Sequence, residues 1–256
     1  MMMRSRAVFC AVSLALFAAP AFAADMTIDE LVSNYQDARG GADAWKAVQT
    51  ARMTGNMSMG PMEAPFQLEF KRDQRVRMEF QMQGMTAIQA YDGEKGWAVM
   101  PFIGKTDPEP MSESELKDIK DMADFDGALI DSERKGHKVT LTGLEEVEGT
   151  EAWRVEVVKA DGDQQTWWLD SEYFLPIKTA GKTERMGQMV EVSTTIGDYK
   201  EVNGLMFPFS LANSIQMGNQ PMVQTITIDE IETGVELTDE YFQMPAVEAA
   251  AAASEG

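Results

Sequence analysis

Cysteine and histidine are almost missing from this chain. Its one cysteine, Cys10, and its one histidine, His137, leave no pair for a disulfide and no Cys/His set for zinc. Long hydrophobic runs are as scarce. The apolar stretch "AVFCAVSLALFAA" near the start is too short for a comfortable bilayer span, and no later segment reaches the needed length, so the chain is read as not membrane-spanning. Positive charge is also thin: Lys and Arg number 22 against 42 Asp and Glu, a net charge of -20. Nucleic acid and anionic membrane surfaces are therefore poor electrostatic partners, and solubility is the simplest use of the charge. No Gly-x-Gly-x-x-Gly or Walker-type loop follows a strand pattern, which removes the usual anchor for a nucleotide.

The first residues have the layout of an export signal. Arg4 and Arg6 give a basic start, the apolar stretch follows, and Ala21-Phe22-Ala23 is a small-x-small cleavage site. Cleavage near Ala23 makes the product periplasmic. Cys10 follows Phe9 inside the apolar stretch, not at the cleavage point, so a lipid anchor is not expected. Removing 23 residues from 256 leaves 233, and the loss of two arginines takes the net charge from -20 to -22. The expected organisation is a signal peptide at 1–23, one domain at 24–245 and a disordered Ala-rich tail at 246–256. The mature chain has no cysteine, so core burial alone must hold it together.

Methionine, by contrast, is abundant: 20 in all. "RMTGNMSMGPMEAPFQLEF" places Met53, Met57, Met59 and Met62 close together and then Phe66, Leu68 and Phe70 at a spacing of two. Three explanations compete: an ordinary sheet core, a thioether site for a soft metal such as Cu(I), or an adaptable apolar lining for a greasy ligand.

Thr27-Ile28-Asp29-Glu30 is a capping box that opens a helix through Leu31, Val32 and Tyr35; Gly40-Gly41 ends it. A short helix from Ala42 to Val48, anchored by Trp45, follows. From Thr50 the period changes to 2. Met53, Met57, Met59, then Phe66, Leu68, Phe70, then Val76, Met78, Phe80, Met82 share one face, and charged or polar residues alternate with them. Asp92-Gly93 turns the chain into "GWAVM". Ser112-Glu113-Ser114-Glu115 is a second capping box, opening a helix whose Leu116, Ile119 and Met122 or Ala123 form one stripe. Strand patterns resume at "HKVTLTG" and continue to "MVQTITIDEI", giving roughly eleven or twelve antiparallel strands. A meander this long must curl. The fold class is mainly β with a few helices: a curled antiparallel half-barrel, an unclosed barrel, with a helical lid on its concave face.

Lys71-Arg72, then Asp92-Gly93, Trp97 and Pro101-Phe102, in that order, resemble the LolA-like, outer-membrane lipoprotein-sorting family. "WWLDSEYFLPIKTAGK", "DYKEVNGLMFPFSL" and "YFQMP" look like its uncharacterised periplasmic members, so the likeness spans Ile28 to Pro245. The resemblance implies a carrier of acyl chains, from lipid or lipoprotein, that meets an inner-membrane exporter or an outer-membrane acceptor. It also implies a sensor or interaction domain as the alternative, recognising a protein partner in envelope signalling. Arg72 matches the position of the arginine that holds the lid in the carriers. Here the step reads Arg72-Asp73-Gln74 without proline, so a latch and an exposed strand-end arginine both stay open.

No catalytic constellation is expected. His137 sits beside Lys135 and Lys138 at a strand start with no nucleophile motif, and reads as structural. Asp118, Asp121, Asp124 and Asp126 spread around a helix and its end without EF-hand spacing. Trp167 and Trp168 must point to opposite faces, so at most one lines the interior. The methionines are dispersed over at least five predicted strands among aromatic and branched residues, which suits a lining better than a ligand cluster, and no metal or cofactor is predicted. The expected hydrophobic lining is Met57, Met59, Phe66, Phe70, Met78, Phe80, Met82 and Trp97, with Arg72, Leu116 and Ile119 at the lid.

Overall fold

The structure, a computed structural model, describes residues 26–185, 188–217 and 220–246. The expected signal peptide, and the tail beyond residue 246, lie outside the described residues. Among the described residues three α-helices, α1 (Ile28–Ala38), α2 (Ala42–Ala47) and α3 (Glu113–Ala123), accompany thirteen strands. The strands are β1 (Thr50–Met59), β2 (Met62–Lys71), β3 (Arg75–Met82), β4 (Met85–Tyr91), β5 (Gly96–Met100), β6 (Lys105–Pro110) and β7 (Lys138–Val147). They continue as β8 (Thr150–Val158), β9 (Gln164–Asp170), β10 (Pro176–Arg185), β11 (Gln188–Val202), β12 (Leu205–Met217) and β13 (Gln220–Thr233).

All thirteen form one antiparallel sheet in the order β6-β5-β4-β3-β2-β1-β13-β12-β11-β10-β9-β8-β7, not closed into a barrel. The first and last strands therefore meet in its middle, where Met57 pairs with Ile226. The two edges, β6 and β7, are consecutive in sequence. The segment that joins them, residues 111–137, must cross the open side, and it carries α3.

Thirteen strands exceed the expected eleven or twelve, and β4 and β6 are the ones whose sequence patterns went unnamed. β4 was hidden because Gln83 and Gly84, both at positive φ (54° and 76°), reverse the chain in a two-residue turn. β6 contains Pro108 and Pro110, which a central strand excludes but an edge strand tolerates. Both helical capping boxes form, Thr27 with Glu30 and Ser112 with Glu115.

Strand alternation divides the sheet into an apolar inner face and a charged outer one. On the inner face Phe66 pairs with Phe80, Leu68 with Met78 and Phe70 with Val76. α1 buries Leu31 and Tyr35 in the larger core cluster, whereas α3 buries Ile119 and Ala123 against Phe70, Val76 and Tyr91. Leu116 packs beside them. Gly96 makes that seat possible: a Cβ there would lie 2.7 Å from Met111 Sδ and 3.0 Å from Leu116 Cδ1. Gly55 serves the sheet itself, since a Cβ there would meet Thr227 O at 2.1 Å beside the β1–β13 bulge.

The loop after α3 plugs the centre. Phe125 sits 5.2 Å from Trp45 and 5.0 Å from Phe70 between ring centroids, and Leu129 and Ile130 are fully buried. Nothing periodic in "DFDGALI" marks these residues as core.

Candidate functional site

The crossing segment 111–137 is tied down just after α3 and along one side of it. Where it leaves α3, Arg72 reaches up from the β2–β3 turn and donates to both carboxylate oxygens of Asp126 at 2.6 and 2.8 Å. The same guanidinium donates to Val48 O at 2.9 Å and Trp45 O at 2.6 Å, so it joins α2, the sheet and the loop in one fork. Asp126 is 5% exposed. A buried carboxylate needs such a partner, because an unpaired one costs several kcal/mol. Arg39, whose guanidinium lies 3.7 Å over the Trp45 ring, adds a bond to Asp126 O at 3.1 Å.

The opposite face of α3 meets the β8–β9 hairpin through two ion pairs. Lys117 Nζ lies 2.6 Å from Asp163, and Lys159 pairs with Asp121. The Asp163 carboxylate, hydrogen-bonded to Lys117, raises the lysine above its ordinary range. Lys135 adds bonds to Asp124 at 2.5 Å and to Gly127 O at 2.7 Å. One long side of the crossing helix is thus greased to β3–β5, and the other is tied by ion pairs that water can reach.

Beneath this second side lies a cavity of about 630 Å³. Its floor is the inner face of β9–β12: Trp167, Ile196 and Leu211, with Thr179, Thr194 and Asn213 interspersed. The polar side chains form a short chain in which Thr194 donates to Asn213 at 2.8 Å and Asn213 donates to Gln224 at 3.3 Å. Lys120, Asp121, Asp124, Lys135, His137 and Lys159 form the rim. A smaller compartment of about 240 Å³ adjoins it, sharing Asp121, Gln165, Thr179 and Thr194.

Of the residues expected from sequence to line a ligand site, Met57, Met59, Phe66, Phe70, Met78, Phe80 and Met82 share the inner face by register. They stand on β1–β3, whereas the cavity floor is β9–β12. Met57, Phe66 and Phe70 are buried in the core clusters, and the other four are partly buried. Trp97 is a correction. Its neighbour across the β4–β5 ladder is Ala90, which pairs with Arg77, so it belongs to the outer face. There its indole donates to Phe242 O at 2.8 Å and lies 5.4 Å from the Arg77 guanidinium, covered by the chain's last described segment. Alternation says only that Trp97 and its neighbours Gly96 and Ala98 face apart; the β4–β5 register gives the inward positions to Gly96 and Ala98.

The floor residues Trp167, Ile196, Leu211 and Asn213 went unnamed in the sequence reading. The alternation of "QQTWWLD" does show that Trp167 and Trp168 face apart: Trp167 lies inward, and Trp168 pairs with Glu145 outside. What sequence lacks is any mark of which half of the inner face α3 leaves uncovered.

His137 holds the Ala128 carbonyl through Nδ1 at 3.2 Å, an anchoring contact at the rim. Among the described residues no group of three or more His, Cys, Asp or Glu is arranged to hold a metal, and no helix is long and apolar enough to cross a membrane.

No family profile matches the chain, and no curated protein matches it. Solved structures do. An outer membrane lipoprotein-sorting protein domain from Vibrio parahaemolyticus superposes with TM-score 0.56 at 14% identity, over 83% of this chain and 94% of that one. A LolA superfamily protein from Nitrosomonas europaea gives 0.56 at 12% identity, over 85% and 98%. A DUF1329 family protein from Desulfovibrio piger gives 0.54 at 14% identity, over 83% and 97%. At such identities the likeness concerns architecture. With its unclosed sheet and its crossing helical segment, the chain has the LolA-like fold.

Proposed function

We propose that this protein is a periplasmic carrier that binds the acyl part of a lipid or of an acylated lipoprotein and performs no covalent chemistry. The observation that carries the reading is the cavity between α3 and β9–β12, roofed by a segment whose helix is tied on that side by the Lys117–Asp163 and Lys159–Asp121 ion pairs. Its volume is in the range of small-molecule sites, about 300–1,000 Å³. An apolar floor with a polar strip suits an amphiphile better than bare hydrocarbon. Burying each methylene contributes about 0.8 kcal/mol, so a single acyl chain supplies ample affinity without a charged anchor.

In this reading Arg72 and Asp126 are the fixed end of the lid, and Leu116 and Ile119 are the greased side about which it opens. The methionines of β1–β3 extend the inner face beyond the cavity, and their unbranched side chains repack easily when the lid moves. Partners in transfer would be an exporter at the inner membrane and an acceptor at the outer one.

The test is native mass spectrometry of protein purified from its own periplasm. The carrier reading expects an adduct in the mass range of a lipid, released by organic extraction. A ligand-free protein that instead co-purifies at fixed stoichiometry with another envelope protein would replace it with the interaction-domain reading.

A further inference from the structure

One cross-strand row of the inner face breaks its apolar pattern. From β9 to β13 the register runs Trp167–Thr179–Thr194–Asn213–Gln224, so after the tryptophan four neighbouring strands each contribute a polar side chain at the same level. The rows on either side of β11–β13 are apolar. Toward the β11–β12 turn lie Ile196, Leu211 and Ile226, and toward the other end lie Val192, Ile215 and Met222. Each row is two residues from the next, about 7 Å along the strand.

The row is not a closed network. Thr194 Oγ1 donates to Asn213 Oδ1 at 2.8 Å, Asn213 Nδ2 donates to Gln224 Oε1 at 3.3 Å, and Gln224 Nε2 donates to Met57 Sδ at 3.8 Å. All donors thus run one way, and the last goes to a thioether, a weak acceptor. A carboxamide has two N–H groups, and among the described residues Asn213 gives only one of them an acceptor. Polar groups placed inside for the fold alone are paired within it. This row has a donor left to offer, at a residue that lines the cavity.

Charge decides what that donor suits. The row holds no carboxylate, lysine, arginine or histidine. The rim lysines are engaged: Lys135 with Asp124, Lys159 with Asp121, and Lys120 at 5.7 Å over the Tyr91 ring. A carboxylate brought to the floor would meet neutral dipoles alone, and a buried charge without a counter-ion is costly. Bare hydrocarbon would leave the Asn213 N–H covered and without a partner, which is penalised in its turn. A neutral carbonyl attached to a hydrocarbon chain meets both conditions. It accepts at the polar row while its chain lies on the apolar row beside it.

We infer that Asn213, oriented by Thr194, is the specificity-determining residue of the cavity: it donates to the carbonyl of an ester- or amide-linked acyl chain and selects that linkage over an ether of the same length. The inference rests on the carrier reading and names the linkage that the cavity accepts.

The experiment displaces a fluorescent fatty-acyl probe from the protein with two competitors of equal chain length, both kept below the concentration at which they form micelles. One is an ester-linked lysophosphatidylcholine, and the other is its ether-linked counterpart, which lacks only the carbonyl oxygen. The unmodified protein should bind the ester about fivefold more tightly, the worth of one such hydrogen bond. Asn213→Leu, which keeps the bulk of the side chain, should weaken the ester to the level of the ether. Thr194→Val, which keeps the shape of the threonine, should narrow the preference. A measurement that needs no variant guards against misfolding: the infrared stretch of an isotope-labelled ester carbonyl, bound to the unmodified protein, should stand at its hydrogen-bonded position. Equal affinity for ester and ether, displacement by neither, a free-carbonyl band, or a preference that survives in Asn213→Leu would each overturn the carbonyl role and leave the carrier reading standing on probe binding. A protein that does not bind the probe would overturn both.

Discussion

Arg72 and Asp126 show what one pair of residues contributes to the fold. The pair is bidentate and Asp126 is buried, so Arg72→Ala strands a carboxylate and should cost about 3–5 kcal/mol in urea unfolding. The double change Arg72→Leu with Asp126→Leu should recover a large part of that loss, because two apolar groups leave no orphaned charge. A double variant as unstable as the single one would mean that the bonds to Trp45 O and Val48 O, not the ion pair, dominate. A second contrast separates packed core from cavity wall. Met57→Glu places a charge among the buried residues of the larger cluster and should destabilise by several kcal/mol. Leu211→Glu, at the cavity floor where water can enter, should leave most of the stability and abolish uptake of a fluorescent fatty-acyl probe. Equal loss of stability in both would show that the floor is closed core.

At the scale of elements, α3 is asymmetric. Its stripe of Leu116, Ile119 and Ala123 is legible in the sequence as a 3.6-residue period, and so is its capping box, because both are local. Its partners across the cavity are not, since Asp163 and Lys159 come from a hairpin some forty positions away. Exposed pairs are worth about 0–1 kcal/mol each and are screened by salt. Lys117→Ala with Lys159→Ala should therefore barely change global unfolding, yet should speed hydrogen exchange in 113–123 and uptake of the probe; unchanged exchange would show that the ion pairs do not hold the roof.

The capping boxes give α1 and α3 a pH dependence. Bonds from Thr27 and from Ser112 hold the Glu30 and Glu115 carboxyls below their ordinary value of 4.5. A depressed carboxylate stabilises the fold in full above that value, and the contribution is lost as pH falls through the folded one. Protection of the amides at residues 28–38 and 113–123, taken against the unfolded-chain exchange rate at the same pH, should fall as pH drops from about 6 to about 3, ahead of the strands. Strands and helices loosening together would contradict it.

Across the whole molecule, alternation in β1–β3 gave the inner face and its polar partner, because a period of two is written into neighbouring residues. Long-range facts escaped: the β1–β13 pairing, the burial of Phe125, Leu129 and Ile130, and the landing place of α3. Together these put the uncovered part of the inner face over β9–β12 and put Met57 under cover. The account's central claim is that the connection between the two edge strands is a movable roof over a ligand cavity. Because Cys10 is the one cysteine of the chain, Lys117→Cys with Asp163→Cys in a Cys10→Ser background can be joined cleanly by a short bis-maleimide. The measurement is uptake of a fluorescent fatty-acyl probe before and after that crosslink. The account predicts saturable uptake by the uncrosslinked protein and little or none once the roof is tied; full uptake by the crosslinked protein would contradict it.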